Sequence, residues 1–298
     1  MTALRAWRVP LVVVLVVAAI GLGLWLANRP TPVSSTRPAG APAEGSCWTV
    51  TDQAARGTLP WPGGPGPCTA AHTVEVVHVG QIEHDIIARE RAASGGDRTL
   101  LVNLMYAEVR RVCGSFATGY LGGNWHAAQV TVIADWIEPV ADRFFGCGLA
   151  RTADAAGTRL VPVSDSLRGV YTGEVPPPVA ITCVNAPPGG EAGYVDCAQN
   201  HTGEFIGTYT ITPIGAPFDA ARLKTAVEQG CGDQLTRYLV LPPGGSRSDL
   251  TVAYVGPVTA PDWLGSDQTF ACYARAGTAV RGSVQGLGTR PLPAGGGA

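Results

Sequence analysis

The sequence predicts an α+β protein: an N-terminal transmembrane helix, then two tandem, homologous, disulfide-stapled small domains, each built of antiparallel strands and one main helix. Three observations predict it. An uncharged apolar run lies near the start, eight cysteines fall as two sets of four, and short spellings around those cysteines recur in both halves.

The apolar run is "VPLVVVLVVAAIGLGLWLA", Val9 to Ala27. As a helix it extends roughly 28 Å, close to the thickness of a bilayer's hydrocarbon core. It is longer than the hydrophobic region of a signal peptide, and "GLWLANRP" lacks the small residue a cleavage site needs, so an uncleaved span over 9–28 is expected. Arg5 and Arg8 precede it with no acid nearby, which places residues 1–8 in the cytoplasm and the bulk of the chain outside. Residues 29–45, rich in Pro, Ala and Ser, read as a linker that lifts the rest off the membrane.

Cysteine usage agrees with an oxidising compartment, since an even number in an exported chain favours disulfides. No CxxC occurs, which argues against a thioredoxin-like redox site and a zinc ribbon. From residue 45 onward 22 acids face 17 basic residues, and no basic stripe is visible, so nucleic-acid binding is not expected.

The four cysteines of one block are Cys47, Cys68, Cys113 and Cys147; those of the other are Cys183, Cys197, Cys231 and Cys272. "CTAAHTVEV" and "CAQNHTGEF" place Cys68, His72 and Glu75 at the same offsets as Cys197, His201 and Glu204. The third cysteine is followed in both blocks by glycine and, seven residues on, by tyrosine: Tyr120 and Tyr238. Such agreement points to a tandem duplication. The expected domains are 46–165 and 180–277, joined by a linker at 166–179 and followed by a disordered tail at 278–298.

Within each block the third cysteine sits in a helical pattern. From Asp219, a good N-cap, Leu223, Val227, Cys231, Leu235 and Tyr238 recur at spacings of three and four. Asp97 begins the matching run through Leu101, Met105, Val109, Cys113, Phe116 and Tyr120. The cap-to-cysteine distance is 16 residues in the first block and 12 in the second, so the first helix is one turn longer and keeps its register. "HTVEVVHVG", "HTGEFIGTYTI", "AQVTVIADWI" and "DLTVAYVGPV" read as strands. First-to-second and third-to-fourth pairing of the cysteines is favoured, although four cysteines allow three connectivities.

The repeated His and Glu are the candidates for chemistry. On a regular strand, side chains three apart point to opposite faces, so His72 and Glu75, like His201 and Glu204, are expected to diverge and to serve structure. Metal binding and catalysis are the competing readings, with Cys197 and His201 as the nominal ligands. No G-x-S-x-G, H-E-x-x-H, P-loop or G-x-G-x-x-G occurs, and His78, His84 and His126 have no counterpart in the second block. No catalytic residue, metal or cofactor is therefore assigned.

The repeated C-x3-H-T-x-E strand start, the helix carrying Cys-Gly, and "PVTAPDWLGSDQTFAC" together resemble the septum formation domain of actinobacterial envelope proteins. The resemblance covers 46–151 and 180–276, and the second block matches better, with Trp263 and Gly265 ahead of Cys272. It implies a membrane-tethered extracytoplasmic module tied to division or envelope growth. A single-pass protein that binds division proteins, cell-wall proteins or a wall component is the expectation. The alternative is an envelope enzyme, or a regulator of a cell-wall enzyme, using the repeated His/Glu motif.

Overall fold

Each half supplies a five-stranded antiparallel sheet, and the strand orders correspond one for one. The computed structural model describes residues 40–137, 144–173, 177, 179–186, 192–242 and 245–295. The expected anchor lies outside the described residues, and none of their helices is long and apolar enough to cross a membrane.

The first half contains β1 (Cys47–Trp48), the short helix α1 (Asp52–Ala55), β2 (Pro65–Gly66), β3 (Val74–Gln81), α2 (His84–Ala92), α3 (Gly95–Leu121), β4 (Val130–Trp136) and β5 (Phe144–Arg151). The second contains β6 (Cys183–Asn185), β7 (Gly193–Val195), β8 (Asn200–Thr210), α4 (Ala220–Leu239), β9 (Leu250–Val255), the short helix α5 (Ala260–Leu264) and β10 (Thr269–Arg281). The sheet orders are β2-β1-β3-β5-β4 and β7-β6-β8-β10-β9. In both, the strand carrying the fourth cysteine sits between the strand that follows the second cysteine and the strand that follows the long helix.

The long helices behave as their periodicity predicts. In α3 the buried stripe includes Met105, Val109, Cys113, Ala117 and Tyr120, and in α4 it includes Leu223, Val227, Cys231 and Leu239. Asp219 caps α4, accepting from the backbone of Ala221 and Arg222. The expectation for α3 is corrected: it begins at Gly95 after Ser94, so Asp97 lies in its first turn rather than at its cap. An acid there still faces the positive end of the helix. Each helix covers one face of its own sheet, and residues fully withdrawn from water on those faces each contribute roughly 1.5–3 kcal/mol.

All eight cysteines are oxidised, as Cys47–Cys68, Cys113–Cys147, Cys183–Cys197 and Cys231–Cys272. In each half the third and fourth cysteines staple the helix to an inner strand of the sheet beneath it, β5 or β10, and both cysteines are buried.

Two expected boundaries are corrected. Of the expected linker at 166–179, residues 166–173 do not run free: Leu167 is buried, and the Tyr171 hydroxyl donates to the Ala127 carbonyl at 2.8 Å. Residues 278–295 are ordered as well, because β10 continues to Arg281, Val284 is buried, and Arg247 donates to the carbonyls of Gly288 and Arg290. Low hydropathy in Pro- and Gly-rich stretches signals a lack of core residues, yet both segments are held by backbone hydrogen bonds and by two buried aliphatic side chains each, Leu167 and Val179 in one and Val280 and Val284 in the other. The two halves are also joined rather than strung as beads. Gln129 and Ile181 donate backbone bonds to Val179 and Ala127, and Ala155 and Tyr194 donate to Ala192 and Ala153, so the described residues form one compact unit.

Candidate functional site

The repeated His and Glu converge, which corrects the expectation that they point apart. The alternation rule applies within one continuous ladder, and neither pair lies in one. His72 precedes β3 and bridges separately to Val163, while in the second half the β8–β10 ladder jumps from Gly203 opposite Arg275 to His201 opposite Val280. The irregularity lets each imidazole turn inward beside its carboxylate.

Glu75 has no exposed surface. It accepts from the Tyr120 hydroxyl at 2.7 Å, the Ser166 hydroxyl at 2.8 Å and the Leu167 backbone N–H at 2.7 Å, and its Oε1 lies 3.0 Å from His72 Nε2. Glu204 is built the same way, accepting from the Tyr238 hydroxyl at 2.5 Å, the Ser283 hydroxyl and the Val284 N–H at 2.6 Å. A carboxylate out of water is costly unless its lone pairs are filled, and these cages fill them. Each cage ties a strand, the end of the long helix and the segment after the last strand to a single side chain.

The tyrosines reflect that environment. Tyr120 and Tyr238 are both pushed above the ordinary phenol range, by burial first and then by the carboxylate each one serves, so both remain neutral donors.

The imidazoles differ between halves. In each, Nδ1 lies within 2.9 Å of a backbone carbonyl, that of Ala70 or Gln199, and so carries the proton. His72 Nε2 is engaged by Glu75, whereas His201 Nε2 is buried with no hydrogen-bond partner.

A cysteine sulfur, an imidazole nitrogen and a carboxylate oxygen lie within 4.8 Å of one another in both halves: Cys47, His72 and Glu75, and Cys183, His201 and Glu204. Cys47 and Cys183 are each in a disulfide, and a disulfide sulfur is not the thiolate that a zinc-type site takes. Sequence reasoning found His, Glu and Tyr in the two cages but missed Ser166, Leu167, Ser283 and Val284. The signal was present as "SL" and "SV", two residue pairs that stand at different distances from the fourth cysteine.

A separate cleft of about 750 Å³ lies where the halves meet, within the range of ligand-sized cavities. Its walls include Tyr106 and Arg110 of α3, Trp125 and His126 after it, Tyr194 of β7 and Asp267. His126 Nε2 reaches both Asp267 oxygens, at 2.9 and 3.0 Å, and Arg110 lies 3.8 Å from Asp262. Burial pulls Asp267 upward, but the His126 hydrogen bond and charge, with help from Thr269, outweigh it and hold the carboxyl below its usual range. Tyr194 is pushed above the phenol range by burial and stays a neutral hydrogen-bonding group. His126 joins this wall although, lacking a counterpart in the second half, it carried no repeat signal.

The other isolated histidines are placed by packing. His78 stacks on Phe116 with ring centroids 3.6 Å apart, and His84 opens α2.

The family model described as septum formation matches residues 44–272. No curated protein and no solved structure matches the chain.

Proposed function

The chain belongs to the septum formation family, and from that premise we propose that it is a membrane-anchored extracytoplasmic binding protein acting in septum formation, cell division or envelope growth. The anchor is the apolar run at 9–28, and the binding surface is the cleft between the halves.

One observation carries the reading: the repeated His and Glu are sealed inside two hydrogen-bonded cages, while the cleft presents aromatic, arginine and carboxylate side chains drawn from both halves. Carboxylates whose lone pairs are taken up by structural donors, as those of Glu75 and Glu204 are, are poorly placed to attack or protonate a substrate, and a mixed aromatic and polar wall suits recognition. The enzyme alternative rests on those same His/Glu pairs, which are buried. A division protein, a wall-synthesis protein or a wall component is the partner class.

The test is fluorescent-fusion imaging through a cell cycle, with the full chain compared to Arg110→Glu. Septal enrichment is expected for the full chain. Reversing the charge beside Asp262 on the exposed cleft rim is expected to reduce that enrichment several-fold without loss of folded protein. Uniform membrane distribution of the full chain, with normal division when the chain is deleted, rejects the septal role. Undiminished enrichment of Arg110→Glu moves binding away from the cleft.

A further inference from the structure

The cleft has a wall of backbone as well as walls of side chains. Every residue from Val130 to Asp135 lines it, so it runs along β4, an edge strand of the first sheet. β4 bonds to β5 through its odd-numbered residues, as shown at the two ends of the ladder by Thr152 N–H donating to the Gln129 carbonyl and Ile137 N–H donating to that of Phe144. The residues between then turn their N–H and C=O groups away from β5.

The chain itself uses this free edge at both ends. At one, Leu59 N–H donates to the Trp136 carbonyl at 3.0 Å. At the other, Ala180 bridges Ala128, with Gln129 donating to Val179 and Ile181 to Ala127. Between them the outward N–H and C=O groups of Val130, Val132 and Ala134 have no hydrogen-bond partner among the described residues. They recur every ~6.8 Å, the two-residue period of an extended chain. Lysine, proline and bulges commonly blunt an edge, and β4, "VTVIADW", has no lysine, no proline and an unbroken register with β5. β9, the edge of the second sheet, gives the cleft only Val255.

We propose that β4 is a strand-addition site: an extended, proline-free segment of a partner protein, about five residues long, lies in the cleft and completes the ladder that β4 leaves open. This rests on the reading of the cleft as the binding surface and names what it binds. A second copy of the chain is kept out, because each β4 is recessed between α3 and residues 155–157 and two such edges cannot meet. A wall glycan offers hydroxyls but not donors and acceptors alternating at the strand period. The cleft carries four aspartates against three arginines and His126, so charge selects neither sign and the backbone dominates the fit.

The test starts with the full chain in cells, carrying photoreactive benzoylphenylalanine in place of Arg111, an exposed cleft residue, and identifies the cross-linked product by mass. One short segment of another protein is expected. A peptide of that segment is then synthesised with an N-methyl group moved one residue at a time and titrated against the full chain. Methylation is expected to weaken binding at least ~10-fold at alternate residues and to have little effect between them, because only every second N–H faces β4. No protein adduct, an adduct on glycan or on a second copy, or a flat methylation profile overturns the proposal. Ala134→Pro deletes one outward donor at an edge position that tolerates proline, and is expected to lower peptide affinity and septal enrichment several-fold where Ala134→Ser does not. Where Ala134→Pro fails to fold, the methylation profile decides. A flat profile with enrichment still lowered by Arg110→Glu leaves the cleft as the binding surface and removes strand addition alone; a flat profile with enrichment unchanged in Arg110→Glu removes both.

Discussion

The N-terminal half protects the outer face of its sheet with a loop, and the C-terminal half protects its own with side chains. In the first, the 21-residue span between Cys47 and Cys68 brings Leu59 and Trp61 over β5, where Gly146 and Gly148 make room. A Cβ on Gly146 would come within 2.4 Å of Leu59 Cδ1. In the second, the span from Cys183 to Cys197 is only 14 residues, and the strand positions matching those glycines are Ala271 and Tyr273, the latter packed edge-on to Phe205. Similar burial is reached from opposite directions. What the halves hold in common is internal: the stapled helix and the carboxylate cage. What separates them includes the outer faces of the two sheets. The comparison teaches that one internal scaffold is compatible with two different ways of covering a sheet.

The sharpest way to break that comparison is to damage both cages equally. Glu75→Gln and Glu204→Gln keep the shape but lose charge-assisted bonds, each worth roughly 1.5–3 kcal/mol. The first is expected to cost about 3 kcal/mol and the second about 2, the excess arising because His72 loses its partner as well. Urea midpoints measure this, and equal losses would show that the His72 contact contributes nothing.

A smaller effect tests whether the tyrosines are equivalent. Both phenols are raised in the folded state, so the stability they contribute is fully present below the unfolded value near 10 and is lost as pH climbs through the higher folded value. Tyr120→Phe and Tyr238→Phe are each expected to cost about 1.5 kcal/mol at neutral pH. The gap to the unsubstituted chain should close above pH ~10. Denaturation at pH 7 and at alkaline pH checks it, and a gap that stays open would remove the carboxylate bond from the account.

The smallest effect concerns the ends of the long helices. The residue after α3 is Gly122, with φ 74°, and its counterpart after α4 is Val240, with φ 58°. A β-branched residue is rare in that left-handed region, whereas glycine enters it freely. Val240→Gly is expected to gain roughly 0.5 kcal/mol after the added freedom of the unfolded chain is counted. Thermal midpoints would register this as a small upward shift, and no gain would show that Val240's exposed side chain contributes something the helix end does not reveal.

The fold was largely legible because its determinants are local. Helix period placed Cys113 and Cys231 on inward faces, and two sets of four cysteines announced two internally bridged units. The cages were half legible. His, Glu and Tyr recur at fixed offsets from cysteines, but Ser166 and Ser283 stand in segments whose composition resembles spacer and tail. The facing of His201 was misread because its orientation depends on the break between Arg275 and Val280 in the neighbouring strand, a nonlocal feature with no trace in the spacing of His201 and Glu204. The cleft was invisible for a related reason: His126 and Asp267 are 141 residues apart and belong to different halves. Nothing in either neighbourhood names the other.

The cages also set an order of assembly. Glu75 and Glu204 receive their last donors from residues 166–167 and 283–284, which lie downstream of every strand and helix of the same half. A chain that emerges N-terminus first therefore exposes each carboxylate long before the segment that seals it arrives, and a chain cut at 272, where the family match ends, would never close the second cage. The second cage is accordingly closed by a latch about a dozen residues beyond Cys272, and a clipped chain lacking it leaves Glu204 without two of its donors.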